Sequence, residues 1–220
     1  MEFDAILRQG FLSVLEPAER RELIEAGHVV ELAPAQIIGS GVVHGCALVM
    51  LSGLLRVYLE SPAGRQVTVR YARPGDVLGL VHLFGATTIV RGQALGAVSL
   101  WSLSGKRIEA LARTHPAFAL AIARECADRT VDAMEELRLI TFGSVRERLS
   151  RHLLDLAAAD EHGQLIARVT QRELADAAGT VREVVARTLK AMREDELIGE
   201  AEGGIVIRNC RRLDDEACGR

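Results

Sequence analysis

The chain has 220 residues, long for one domain and ample for two. Apolar residues make up 49% and charged residues 26%, a globular balance that excludes disordered, collagen-like and low-complexity architectures. The net charge is −3, and basic and acidic residues between Ser144 and Arg212 are equal in number. Any nucleic-acid binding must therefore come from charge arranged on one face, not from bulk charge. The longest apolar runs, such as Cys46-Ala47-Leu48-Val49-Met50-Leu51, are too short to span a bilayer. The acidic start Met1-Glu2-Phe3-Asp4 lacks the basic stretch and apolar core of a signal peptide. A soluble, cytoplasmic protein without a membrane partner is the expectation. Cys46, Cys126, Cys210 and Cys218 form no C-x-x-C pair, so they read as reduced, unlinked thiols. A redox or metal role for the Cys210/Cys218 tail is the alternative.

Glu16 to Ala26 reads as a short helix with a proline near its start. From Val29 to Leu103 the texture changes to short apolar or alternating runs: Val29–Leu32, Ala47–Leu51, Leu54–Leu59, Gln66–Tyr71, Val77–Leu80 and Ala97–Leu103. Ser52-Gly53, Pro62-Ala63-Gly64 and Pro74-Gly75-Asp76 punctuate them. Such spacing predicts an all-β barrel or sandwich. Lys106–Arg113 predicts a short helix ending before Pro116.

Ala117 to Phe142 contains neither proline nor glycine and predicts one long helix. Leu120, Ala127, Met134 and Thr141 recur every seven residues, with Ala123, Thr130 and Leu137 between them. That is a coiled-coil stripe. A helix of about 25 residues, ~40 Å at 1.5 Å per residue, exceeds what is needed to pack against a small barrel. A dimer through Leu120, Ala127, Thr130, Met134 and Leu137 is the favoured reading. The alternative is that the stripe covers the open side of the barrel.

Ser144 begins a second domain, capping a predicted helix from Val145 to Ala159 with Glu147 in the capping-box position. Thr170 and Glu173 form another capping box, opening a helix to Ala178. Gly179 supplies the sharp turn, and a second helix starts at Thr180. Ala175 suits the close crossing, and Leu174, Ala178 and Val185 the shared core. At 100° per residue, Val181, Val184, Val185, Thr188, Leu189, Ala191 and Met192 fall on one side of the second helix. Arg182, Glu183, Ala186, Arg187, Lys190, Arg193 and Glu194 fall on the other. A basic face of this kind suits a major groove, where arginine pairs with guanine and glutamate accepts from cytosine. Gly203-Gly204 joins two short strands, Ile198–Glu202 and Ile205–Arg208, as a phosphate-contacting wing. Thr170 and Gln171 at the start of the first helix, and Lys190 on the charged face, complete the candidate DNA-binding set.

With these pieces in place the chain resembles a Crp/Fnr-type transcription regulator over nearly its whole length. The most specific match is Gly179-Thr180-Val181-Arg182-Glu183-Val184-Val185-Ala186-Arg187, similar to the family's G-x-S-R-E-x-V-x-R recognition helix. The resemblance implies an α+β chain: a jelly-roll, cyclic-nucleotide-binding-like β-barrel sensor over 1–115, a dimerisation helix over 116–142 and a winged helix-turn-helix over 143–220. It implies that Arg182, Glu183 and Arg187 read a TGTGA-like half-site, in a homodimer on a palindrome. Val181 stands where the family has serine and Val184 where it often has threonine, so two hydroxyl contacts are lost. Double-stranded DNA, a second copy of the chain and RNA polymerase are the implied partners, and no catalytic activity is implied.

The barrel also carries family-like turns, Leu51-Ser52-Gly53 and Arg73-Pro74-Gly75-Asp76. The resemblance places an effector pocket at Gly79, Leu80, Arg91, Gly92, Ala133 and Met134. Leu80 stands where the family's ribose-binding glutamate would be, and Arg91-Gly92 replaces its phosphate-binding Arg-Ser pair. Ala133 and Met134 occupy the polar positions that face adenine. A ribose hydroxyl buried against Leu80 without a partner would cost about 1–3 kcal/mol, which argues against tight cyclic AMP binding. The effector is otherwise open: a more apolar ligand, a haem or redox signal, or none. His28, His44 and His82 are the candidates for haem or metal, but they lack ligand spacing. The N-terminal thirty residues hold no cysteine for an iron–sulfur centre. Two other classes compete: a cupin-like barrel enzyme, for which a convincing metal cluster is lacking, and a ligand-binding module acting on a partner protein.

Overall fold

The computed structural model describes Ile6 and residues 10–39, 45–85 and 90–219. The chain divides into two compact units, 1–59 with 69–133, and 60–68 with 134–220. Among the described residues, no helix is long and apolar enough to cross a membrane.

The first unit opens with a 3-10 turn, Gly10–Val14, and helix α1, Pro17–Glu25, whose proline sits at the first helical position. Among the described residues eight strands follow: β1 (His28–Leu32), β2 (Ile37–Ile38), β3 (Cys46–Ser52), β4 (Leu55–Glu60), β5 (Gln66–Ala72), β6 (Val77–Leu78), β7 (Arg91–Ala94) and β8 (Val98–Ser104). They form two four-stranded sheets, ordered β1-β8-β3-β6 and β2-β7-β4-β5. Leu48, Met50 and Leu100 from the first sheet share one core with Ile38, Leu55 and Val57 from the second. The all-β segment is thus a sandwich whose sheets stay open.

Strand β3 shows why its run is apolar throughout. Leu48 and Met50 point into the sandwich, while Ala47 and Val49 face a second core with Leu23, Ile108, Phe118 and Ile122. A strand buried on both faces cannot alternate. Helix α2, Gly105–Thr114, and the long helix α3, Pro116–Phe142, supply that second layer. Strands β2 and β7 escaped the sequence reading. Ile37–Ile38 is a single pair of residues, and in Arg-Gly-Gln-Ala the inward residues, Gly92 and Ala94, are too small to read as an apolar stripe; cross-strand pairing makes the β7 strand.

The second unit holds α4 (Val145–Leu156), β9 (Ala157–Ala159), β10 (Leu165–Ala167), α5 (Gln171–Ala177), α6 (Arg182–Glu194), β11 (Ile198–Ala201), β12 (Gly204–Ile207) and α7 (Cys210–Ala217). Both capping boxes form: Ser144 Oγ accepts from the Glu147 amide and Thr170 Oγ1 from the Glu173 amide. Ala157–Ala159 leaves the predicted helix. These alanines pair with Leu165–Ala167, so sheet pairing overrides helix propensity. Arg146 anchors α7, with Nε and Nη2 donating to Glu216 at 2.9 and 2.8 Å.

Glu136, in the C-terminal part of α3, is half-buried. Burial, then the nearby Asp155 carboxylate, raises its pKa to about 7 against the opposing pull of Arg151 and Arg148. Below the ordinary value of 4.5 both folded and unfolded chains hold the proton. Between there and about 7 only the folded chain does, so stability falls as pH rises through that window. Glu136→Gln removes this contribution. Urea unfolding is expected to show the variant's advantage growing from nothing near pH 4 to about 1–2 kcal/mol at pH 8, after solvent screening is allowed for. An advantage that does not change with pH contradicts the assignment.

Candidate nucleic-acid interface and effector cavity

Helices α5 and α6 build the first site. Gly179 lies between them at φ +62°, a left-handed turn that glycine adopts without strain. Leu174, Ala175, Ala178, Val185, Leu189 and Met192 share the core beneath them. Their burial fixes the opposite side of α6 toward solvent. There Arg182, Glu183, Arg187 and Lys190 are all exposed. Among the described residues none pairs with Arg182, Glu183 or Arg187, while Lys190 Nζ lies 3.9 Å from Glu194.

Two details differ from the helical projection. Val181 is 57% exposed, not part of the apolar face, because it is the N-cap and lies outside the helical repeat. Arg193 is half-buried and 3.8 Å from Glu200 on β11, so the wing draws it away from the basic face. On α5, Thr170 is exposed and Gln171 partly so. Thr170 Oγ1 is occupied by the cap, which leaves it less available to a phosphate than its exposure suggests. Strands β11 and β12 join at Gly203, φ +70°, and Arg168 donates to the Glu202 carbonyl at that tip.

The stripe on α3 is open. Leu120 is 52%, Met134 64% and Leu137 62% exposed, and Ala127 and Thr130 are exposed too. The residues that cover the sandwich are others, Phe118 and Ile122, at 1% and 2% exposure. The stripe therefore does not close the sandwich, which was the alternative reading of its periodicity.

The second site is a cavity of about 350 Å³ in the first unit. Gly79, Leu80, Arg91, Gly92 and Ala133 all line it. Met134 does not; it is exposed on the stripe. Gly79, at φ +84°, turns the chain into a 3-10 segment, Leu80–Phe84, that lays Leu80 against the cavity. A Cβ on Gly92 would stand 2.9 Å from Leu55 Cδ2 and 3.0 Å from Ile38 Cγ1, so aliphatic groups already fill the space a serine would take.

Sequence reasoning missed the polar end of this cavity. Arg129 on α3 donates to Asp76 Oδ1 at 2.7 Å, Glu125 Oε1 at 3.0 Å and Asp132 Oδ2 at 3.3 Å. Burial opposes its charge, but Asp76 and Glu125 outweigh burial and raise its pKa. Arg70 on β5 donates from Nη2 to the Val77 carbonyl, while its buried Nη1 makes no hydrogen bond. His82 is half-buried and lines the cavity, and His28 is exposed. His44 lies outside the described residues. Among the described residues, no three His, Cys, Asp or Glu side chains converge as a metal site would require.

Residues 29–115 match the cyclic nucleotide-binding domain, and residues 147–216 the Crp-like helix-turn-helix domain. Transcriptional regulator LdrP of Thermus thermophilus is 32% identical over 172 residues, 75% of this chain and 84% of that protein. The cyclic AMP receptor protein of the same species is 30% identical over 169 residues, 76% and 77% of the two chains. A crystal structure of a CRP/FNR-family regulator from Thermus thermophilus aligns with TM-score 0.67 at 26% identity, over 86% of this chain and 98% of that one. A putative Crp/Fnr-family regulator from Eubacterium rectale shares the fold, with TM-score 0.71 at 21% identity over 94% and 96%. A sandwich of the cyclic nucleotide-binding type, a long helix and a winged helix-turn-helix define a DNA-binding transcription regulator. This chain belongs to the Crp/Fnr family of those regulators.

Proposed function

We propose that the protein acts as a homodimer that reads a TGTGA-like palindrome, under the control of an effector other than cyclic AMP. Residues 1–115 serve as sensor, 116–142 as dimerisation helix and 143–220 as DNA-binding domain. The carrying observation is the exposed, unpaired trio Arg182, Glu183 and Arg187 on the side of α6 opposite its buried core. Arginine donates two bonds to a guanine edge and glutamate accepts from cytosine, so the trio carries sequence information that a merely basic patch lacks. Gln171 and Lys190 supply backbone contacts at the rim of the groove, and Thr170, its hydroxyl held by the cap, fixes the start of α5 beside them. The open stripe on α3 supplies the dimer, and a two-fold dimer reads a palindrome.

The cavity is coupled to the dimer through one element. Arg129, Thr130 and Ala133 of α3 line the cavity, and Thr130, Met134 and Leu137 form the stripe on the same helix. A ligand that binds one arrangement of α3 better shifts the population toward it. A cyclic-AMP-responsive regulator is the second reading, favoured by the 30% identity to the cyclic AMP receptor protein. Leu80, Gly92 and Ala133 stand against it, because none offers a hydrogen bond from its side chain to a ribose or purine. Contact with RNA polymerase, cytoplasmic location and absence of catalysis belong to the same reading.

The test is fluorescence anisotropy of the ligand-free protein on a duplex whose TGTGA and TCACA half-sites are centred about one helical turn apart, against a scrambled duplex at the same salt. Preferential binding to the palindrome is expected, with or without added effector. Equal affinity for both duplexes across half-site variants and candidate effectors would return the protein to the class of modules that act on a partner protein.

A further inference from the structure

We propose that Arg148 is a positioning residue for DNA recognition: its guanidinium ties the junction between α3 and α4 to the end of α5. The recognition helix thereby keeps one orientation to the end of the long helix. The inference rests on the reading of the protein as a dimer on a palindrome, and names the residue that fixes which half-site spacing the dimer accepts.

The junction is short. Helix α3 ends at Phe142 and α4 begins at Val145, with Gly143 and Ser144 between them. These residues and the last turns of α3 belong to the second unit. The Gly143 amide donates back to the Leu139 carbonyl at 3.0 Å, and the Ser144 carbonyl accepts from the Arg148 amide at 3.2 Å. Ser144 and Glu147 close the cap of α4. The Gly143 carbonyl takes part in none of these bonds, and Arg148 Nη1 donates to it at 2.7 Å.

The same guanidinium reaches the helix-turn-helix. Its Nε donates to the Ala178 carbonyl at 3.0 Å. Ala178 is the C-cap of α5, where a helix leaves carbonyls that it cannot satisfy itself. At 4% exposure, Ala178 has little access to water, so its carbonyl needs a partner from the protein. Gly179 and the start of α6 follow directly in the chain.

Apolar packing leaves this task open. Leu149 and Leu153 of α4 share a core with Leu174, Val185 and Leu189, which sets α4 against α5 and α6. Among the described residues no member of that core comes from α3, so the angle between α3 and α4 is left to contacts outside it. Arg148 is such a contact, and it touches the junction and α5 at once. A guanidinium is planar with donors in fixed directions, so holding two carbonyls fixes their distance and angle. In a two-fold dimer the orientation of each recognition helix sets the separation of the pair, and with it the half-site spacing.

The test uses nitroxide labels on Glu135→Cys of α3 and Glu194→Cys of α6, in the full chain with its four native cysteines changed to serine. Labelled chains are diluted with unlabelled ones, so that pulsed electron–electron resonance reads the distance within one protomer. With Arg148 present one narrow distance is expected. Arg148→Ala should widen it or add a second distance. Arg148→Lys, a point charge without the fork, should fall between them. On DNA, moving the half-sites by half a helical turn should cost the wild-type protein about 10²-fold or more in affinity, because the two recognition helices no longer engage together. In Arg148→Ala that penalty should shrink about ten-fold, with the affinity for a duplex of one half-site unchanged. A merely structural role would instead lower the melting temperature and weaken every duplex alike. The proposal is overturned by an unchanged distance distribution, or by a loss shared equally among all duplexes. Should Arg148→Ala fail to fold, Arg148→Lys decides, and a wild-type distribution in that variant overturns the proposal. The label measurement contains no DNA. A widened distance without palindrome recognition by the wild type therefore sinks only the DNA-binding reading, and palindrome recognition with an unchanged distance sinks only this one.

Discussion

Arg182→Ala and Arg187→Ala each weaken binding to the palindrome by about 1–3 kcal/mol, roughly five- to 150-fold, while binding to scrambled DNA changes little. The expectation follows from placement. Both side chains are exposed on α6, opposite Val185, Leu189 and Met192, and neither has a partner among the described residues. Their removal therefore leaves the fold within about 0.5 kcal/mol of wild type, which thermal unfolding checks independently. What is lost is a bidentate pair to a base edge, and that pair exists only on the right sequence. A phosphate contact would behave differently: its loss weakens all duplexes alike and flattens the salt dependence. Equal loss on palindromic and scrambled duplexes would thus place both arginines on the backbone and leave Glu183 alone to read sequence. Glu183→Gln separates the cases further, since the amide keeps an acceptor but loses the charge that makes cytosine N4 the preferred donor.

Local signals made most of the architecture legible. Ser144 with Glu147 and Thr170 with Glu173 mark two helix starts, and both boxes form as read. Gly179 marks the turn because few other residues hold φ near +62°. Features that depend on distant partners were illegible. Ala157–Ala159 reads as helix and becomes strand because Leu165–Ala167 pairs with it. Arg91–Ala94 alternates only between polar residues and the small Gly92 and Ala94, and partners at Ile37–Ile38 and Leu55–Tyr58 make it a strand. The polar end of the cavity was missed for the same reason. Arg129 meets Asp76 across 53 positions, and nothing near either residue announces the pair. Arg70 gives a weak signal, a cation within a run that otherwise reads as a half-buried strand, but only the folded chain shows that its Nη1 is buried without a hydrogen bond.

Met134→Lys is expected to convert the dimer to monomers at micromolar concentration, a loss of at least about 3 kcal/mol of association. Met134 is 64% exposed and neighbours Leu137 at 62% and Val131 at 60% along one helix. Contiguous apolar exposure of this extent marks an interaction surface, and in the proposed dimer the seven-residue spacing assigns it to a partner helix. Within one protomer the substitution is nearly free, because the new ammonium sits in water as the thioether did. In the dimer two such charges, one from each protomer, enter a seam whose other members are Leu137, Thr130, Ala127 and Leu120, with no carboxylate on the stripe to meet them. Desolvation and like-charge repulsion then act together. Native mass spectrometry reads the dimer directly, and Met134→Leu controls for packing alone. DNA binding should fall with the dimer, since two joined recognition helices gain about 10²–10⁴-fold from effective concentration that separate protomers forfeit. An unchanged dimer mass would sink the seam assignment. A lost dimer with undiminished affinity for the palindrome would show that each half-site is held independently of its neighbour.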